Sequence, residues 1–273
     1  MRVDSDELQA LDQKGLIPGP NEGADVFISR VRALLKDLET KLQPKEALEL
    51  HVQSALNLLE STYGTRPQWP RASCDQGLSR SLSLGYWEER LGSGQIFLQK
   101  ELIRGKVWGY SAREVLAHEF AHAARSMFPA DLFDEYLSYQ LSPRWHRRYL
   151  GPLLASPALL AFLLATLVIA LTTLLITPFE QKGLFADFLF KGLFGIRITL
   201  SFWILGRLTQ LLLFWRAGRV LERLSPGFGS WWLFRLTQKE ALVVGMMGRR
   251  APFKSLGEGL RRQLFRAKLK KFF

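Results

Sequence analysis

The amino-acid sequence predicts a mainly α (α+β) protein: a helical domain with a small strand element, then a two-helix transmembrane hairpin, then a basic C-terminal helical tail. Three observations lead there. Apolar residues recur at helical spacing through much of the first 143 residues, the mark of amphipathic helices. The uncharged 24-residue run LLASPALLAFLLATLVIALTTLLI (153–176) exceeds the roughly 20 apolar residues that a helix needs to cross a bilayer core. The net charge of +12 sits almost wholly in residues 216–273, which hold 14 basic and 3 acidic side chains, against 19 and 20 in residues 1–152.

Residues 1–23 end in the turn-rich IPGPNEG and read as a flexible N-terminal segment. A domain over residues 24–143 follows. From Ala24 to Leu42, the side chains of Phe27, Val31, Leu34, Leu35, Leu38 and Leu42 share one helical face. A second helix starts at Pro44, whose fixed φ suits a first helical position, and carries Leu48, Val52, Leu56 and Leu59. Segment 65–93, with its prolines and glycines, predicts turns and short strand pieces. QIFLQKEL, after Gly92-Ser93-Gly94, alternates as a strand does. Ser111 and Glu114 form the S-x-x-E capping box of the next helix, with Tyr110 and Val115 as its hydrophobic staple. That helix runs to about Met127, and Pro129 prevents its continuation. Asp131 caps a further helix that reaches Ser142-Pro143.

The segment LFGIRITLSFWILGRLTQLLLFW (193–215) contains Arg197, Arg207 and Gln210 but is long enough to cross back, which completes a hairpin over residues 144–215. Arg144, Arg147 and Arg148 precede the first span, and Arg216, Arg219 and Arg223 follow the second. The positive-inside rule then puts both terminal parts on the cytoplasmic side of an inner, cytoplasmic membrane. The polar, acidic N-terminus has no apolar core of a cleaved signal peptide. In the tail, 216–273, T-Q-K-E at 237–240 forms another capping box. The last segment gathers Leu256, Leu260, Leu264 and Phe265 near one face among basic residues, the profile of a helix lying on an anionic lipid surface. Placing the basic charge after the hydrophobic region favours such a surface over nucleic acid as the partner, and no nucleic-acid module is recognisable. Cys74 is the single cysteine, so no intrachain disulfide forms.

The chemistry concentrates in SAREVLAHEFAHAAR (111–125), which holds two of the four histidines four positions apart. On a helix that spacing stacks His118 and His122 on one face, able to turn one nitrogen each toward a single Zn2+. Glu119 beside them is placed to act as general base toward a water that the metal acidifies. A catalytic zinc site needs a third protein ligand. Asp131, Asp134, Glu135 and His146 are the downstream candidates. Glu135 is the choice because a short connection makes consecutive helices antiparallel neighbours, with Asp134 as its main rival. Tyr139, one turn further on, shares that face and suits hydrogen bonding to a substrate oxyanion. Arg125 is positioned to hold Glu135 or Asp134.

LAHEFAHAAR followed by DEYLSY resembles the zincin metallopeptidases, on the glutamate-ligand or gluzincin side, and most closely their compact minigluzincins. The resemblance spans about residues 90–142. It implies His118, His122 and Glu135 as zinc ligands and Glu119 as general base. It also implies a strand before the motif helix that edges a cleft for peptide substrate, and QIFLQKEL occupies that place. The expected activity is membrane-associated, zinc-dependent hydrolysis of peptide bonds. Two alternatives are a non-catalytic membrane-anchored scaffold with a structural or degenerate metal helix, and a membrane transport or assembly factor built on the hairpin.

Overall fold

Leu8, Leu11, Leu16 and Ile17 are all buried, so the N-terminal segment is part of the core and not a flexible lead. The computed structural model describes residues 4–39, 46–75, 84–90, 93–154, 164, 167–168, 184–248 and 259–269. Helix α1 (Ser5–Gln13) is capped by Asp4, whose side chain accepts from the Ser5 N–H. The spacing of Leu8 and Leu11 gives α1 an apolar face, a signal too short to stand out among the polar residues around it. Helix α2 (Ala24–Glu39) buries Phe27, Val31 and Leu34, and α3 (Glu46–Tyr63) buries Leu48, Val52, Leu56 and Leu59, each on the expected face. Pro44 and the end of the first predicted helix lie outside the described residues.

Three strands follow: β1 (Arg71–Asp75), β2 (Gly85–Arg90) and β3 (Ser93–Gln99). Their order is β1-β3-β2, with β1 parallel and β2 antiparallel to β3. The strand expected from QIFLQKEL is therefore central, with a neighbour on each side. The outer strand towards the motif helix is β2. The end of QIFLQKEL leaves the strand: Lys100 caps α4 (Glu101–Arg104), which Glu101 and Leu102 begin. Gly94 permits the close stacking at this corner: a Cβ there would lie 1.9 Å from the Trp87 ring and 2.6 Å from Trp69.

Helices α5 (Ala112–Ala124) and α6 (Leu132–Gln140) form the antiparallel pair that the short connection demanded, and α7 (Trp145–Leu154) packs on α6. Ser111 accepts from the Glu114 N–H at 3.3 Å, but the capping box is only half made. The Glu114 carboxylate is buried and is taken instead by Ser142 at 2.5 Å and by Arg147 at 2.9 and 3.0 Å. A charged, buried guanidinium competes better for that carboxylate than a single backbone N–H.

The chain returns in α8 (Leu184–Leu224), α9 (Gly229–Phe234), α10 (Gln238–Met247) and α11 (Gly259–Leu269). The capping box of Thr237 and Glu240 is complete. This basic region is not a peripheral tail. Trp231, Trp232, Phe234, Leu264 and Phe265 join the same buried cluster as the first helices. Arg235 is fully buried and grips Asp12 through Nε at 2.5 Å and a second nitrogen at 2.8 Å. It also donates to the carbonyls of Tyr63 and Trp231. Arg261 donates to Glu240 and to the Arg235 carbonyl. The apolar face assigned to a lipid surface is thus spent on protein contacts, at least at Leu264 and Phe265; Leu256 lies outside the described residues.

The membrane hairpin and the integral membrane location require correction. Among the described residues no helix is long and apolar enough to cross a membrane. The run 153–176 lies almost wholly outside those residues. The second stretch, 193–215, is the middle of the 41-residue α8, whose sequence carries arginines at 197, 207, 216, 219 and 223. Its later part packs against α9 and α10, burying Phe214, Ala217, Val220 and Leu221. Within the stretch read as lipid-facing, Phe214 is thus core, while Ile198, Phe202, Leu205, Leu208, Leu212 and Trp215 are exposed.

Replacing Asp12 by alanine would strand the Arg235 charge in the core, and breaking a buried pair in this way costs about 3–5 kcal/mol. Urea unfolding of Asp12→Ala should show a loss of that order. A change under about 1 kcal/mol, the scale of an exposed pair, would show that the pair does not tie α1 to the C-terminal helices.

Candidate metal centre

Helix α5 turns His118 and His122 the same way, and α6 lies across them with Glu135 facing the gap. The two Nε2 atoms are 3.0 Å apart. Glu135 places Oε2 at 3.6 Å from His118 Nε2 and Oε1 at 3.6 Å from His122 Nε2. A tetrahedral zinc with bonds of about 2.0–2.1 Å separates its ligand atoms by roughly 3.3 Å. The three donors therefore fit one such ion, and all their ligand atoms lie within 4.8 Å of one another. Two imidazoles and one carboxylate are also a donor set that zinc favours.

Asp134, the rival third ligand, does different work. Its Oδ2 meets His122 Nδ1 at 2.5 Å and its Oδ1 accepts from Arg125 Nε at 2.8 Å. With both oxygens engaged it orients the imidazole, leaving Nε2 for the metal, as a carboxylate partner of a ligand histidine commonly does. Arg125 is itself buried beneath Phe128, with its guanidinium 4.3 Å from that ring, and donates to the carbonyls of Phe234 and Leu236. Asp131 is used as the N-cap of α6, accepting from the N–H groups of Phe133 and Asp134. His146 is exposed on α7 and stands against Trp145, while His51 belongs to α3.

Glu119 is buried where α5 meets the sheet. Burial pushes its carboxyl up to about 7; Glu135 adds to this, against the opposing pull of His122 and a hydrogen bond from the Trp87 backbone. The Trp87 contact ties the outer strand β2 to the base. Burial and the neighbouring His122 press His118 down to about 3. Burial opposes a charge on His122 too, but its bond to Asp134 and the carboxylates of Asp134, Glu119 and Glu135 outweigh that and raise it to about 9. Burial raises Glu135, whereas His122 and Arg125 hold Asp134 below its usual range despite burial.

Tyr139 packs edge-on to His118, with ring centroids 4.7 Å apart. Helix α7 presses it there: a Cβ on Gly151 would come within 2.3 Å of the Tyr139 ring. Burial raises its phenol above the ordinary value, so the hydroxyl keeps its proton. His118, Glu119, His122, Glu135 and Tyr139, picked from sequence, thus gather at one place. Trp87 and Gly151 were not picked. The outer position of β2 has no local signal in GYWEER, and only tertiary packing gives Gly151 its role.

No protein-family model matches this chain, and no curated protein or solved structure matches it either. The centre is therefore assigned from its own donors and geometry.

Zinc added to metal-free protein should bind at about one ion per chain, by metal analysis or competition with a chromophoric chelator. His118→Ala should abolish this binding. Asp134→Asn should retain the stoichiometry but weaken affinity roughly 10- to 100-fold, the usual cost of losing such a partner. Complete loss of the site in Asp134→Asn together with unchanged affinity in Glu135→Gln would reverse the two acidic roles.

Proposed function

We propose that the protein is a zinc-dependent metallopeptidase. The observation that carries this reading is the convergence of His118, His122 and Glu135 on one point, with the buried carboxyl of Glu119 on the same helix. Bound there, zinc supplies a Lewis acid that polarises a substrate carbonyl and acidifies a water. Glu119 takes the proton released from that water and returns it to the departing amine, a role suited by a carboxyl poised near neutrality. The protonated hydroxyl of Tyr139 donates toward the oxygen on which negative charge develops. Asp134 and Arg125 hold His122 in one orientation throughout.

A peptide substrate is favoured by β2. It pairs with β3 on one side, and among the described residues no strand covers the other. Such an edge offers backbone groups to an extended chain, next to the base that Trp87 touches. A closed structural site, the scaffold alternative, needs a fourth protein ligand. Asp134 and Asp131 are acidic residues near enough in sequence to supply it, and both are committed to other partners. This favours an open position and hence catalysis.

Hydrolysis of a mixed peptide library, read by mass spectrometry, should depend on added zinc. Glu119→Gln should keep the metal and lose activity by roughly a hundredfold or more, the scale of general-base catalysis. Tyr139→Phe should lower kcat on the order of a hundredfold, as expected for loss of an oxyanion donor, with little effect on KM. Full activity in Glu119→Gln would sink the mechanism.

A further inference from the structure

Beside Glu135 a pocket of about 270 Å³ opens between α6, α7 and α8. Its walls include Pro152, Leu153 and Trp203, and Arg207 reaches it from α8. Arg207 is half-buried, and its guanidinium stands 5.0 Å from the Trp203 ring. Among the described residues it makes no hydrogen bond or ion pair. Asp131, Asp134 and Glu135 also line the pocket, but each is already engaged. Asp131 caps α6, Asp134 holds His122 and Arg125, and Glu135 faces the two histidines. Among the described residues of this wall, Arg207 is the charged side chain that no hydrogen bond or ion pair meets.

Keeping a guanidinium half-buried beside Pro152, Leu153 and Trp203, with the three carboxylates of the pocket bonded elsewhere, costs free energy unless an anion meets it. Its planar fork matches a carboxylate in bidentate fashion. The pocket adjoins a metal ligand, so a group held there belongs to the molecule whose bond is being cut. We propose that Arg207 is a specificity residue that binds a carboxylate of the substrate near the scissile bond, with Trp203 packing against the same group. This rests on the metallopeptidase reading. The carboxylate is either an acidic side chain or the free C-terminus of a peptide, which present the same chemistry to Arg207.

The test uses the full chain, zinc-loaded and carrying Glu119→Gln so that bound peptide is not consumed. Fluorescence anisotropy is measured with three labelled peptides of one backbone sequence. One has a glutamate and an amidated C-terminus, one a glutamine and a free C-terminus, and one a glutamine and an amide. One of the two carboxylate peptides should bind roughly tenfold or more tightly than the neutral one, the range of a hydrogen bond to a charged group. Which of them does so identifies the source. Arg207→Gln should erase that advantage, and Arg207→Lys should keep part of it. Neither should change zinc content or affinity for the neutral peptide. Equal binding of all three peptides, or an advantage that survives Arg207→Gln, overturns the proposal. A parallel assay with Glu119 intact separates the two ideas: carboxylate-selective binding without any cleavage would overturn the peptidase reading, and with it the substrate role of Arg207, while leaving Arg207 a carboxylate-binding residue.

Discussion

The candidate site depends on one buried guanidinium. Arg125 ends the motif helix and is 2% exposed. It has to be satisfied inside the protein, and it is, by Asp134 on one side and the carbonyls of Phe234 and Leu236 on the other. Asp134 in turn fixes His122. The orientation of this candidate ligand is therefore linked to the placement of residues more than a hundred positions later. The same logic repeats at Arg235 with Asp12 and at Arg261 with Glu240. Arg125 and Arg235 tie the C-terminal helices to the rest of the chain, and Arg261 ties those helices to one another.

The electrostatics of the centre follow from crowding three carboxylates around two imidazoles. His118 and His122 face each other at 3.0 Å, so both cannot be charged without repulsion. The proton prefers His122, which has Asp134 behind it, and His118 is driven neutral. A divalent cation would relieve the same crowding by binding both Nε2 atoms and Glu135, which requires two neutral imidazoles and so the release of the extra proton on His122. Glu119 lies just beyond this group. Burial rather than any single neighbour lifts its carboxyl, the condition that lets a carboxylate both take and return a proton near neutrality.

Around the donors, three elements shape what can approach. Strand β2 brings the Trp87 backbone to Glu119, α7 presses Tyr139 against His118 through Gly151, and α8 delivers Arg207 beside Glu135. The segment read as membrane-spanning thus contributes to the surroundings of the centre. Its arginines, which were the weak point of the membrane reading, include the one that faces this pocket.

Much of the local structure was legible in the sequence because local rules govern it. Apolar spacing gave α2 and α3, the S-x-x-E and T-x-x-E patterns and Asp131 gave helix starts, and H-E-x-x-H placed two histidines one helical turn apart with a glutamate beside them. The length of the connection between the two helices made it legible that α6 brings acidic residues to that pair. The sequence could not decide between Asp134 and its neighbour, because adjacent helical carboxylates differ only in what they face. Nor could it show that β3 is central, that the N-terminal helix and the basic tail share a core, or that α8 has a buried flank. Hydropathy counts apolar side chains without knowing whether protein or lipid will cover them. Pairing of Arg235 with Asp12 joins positions far apart in the chain, which no local pattern encodes. Residue type and spacing determined which groups are able to bind a metal, and tertiary packing decided which atom each of them presents to it.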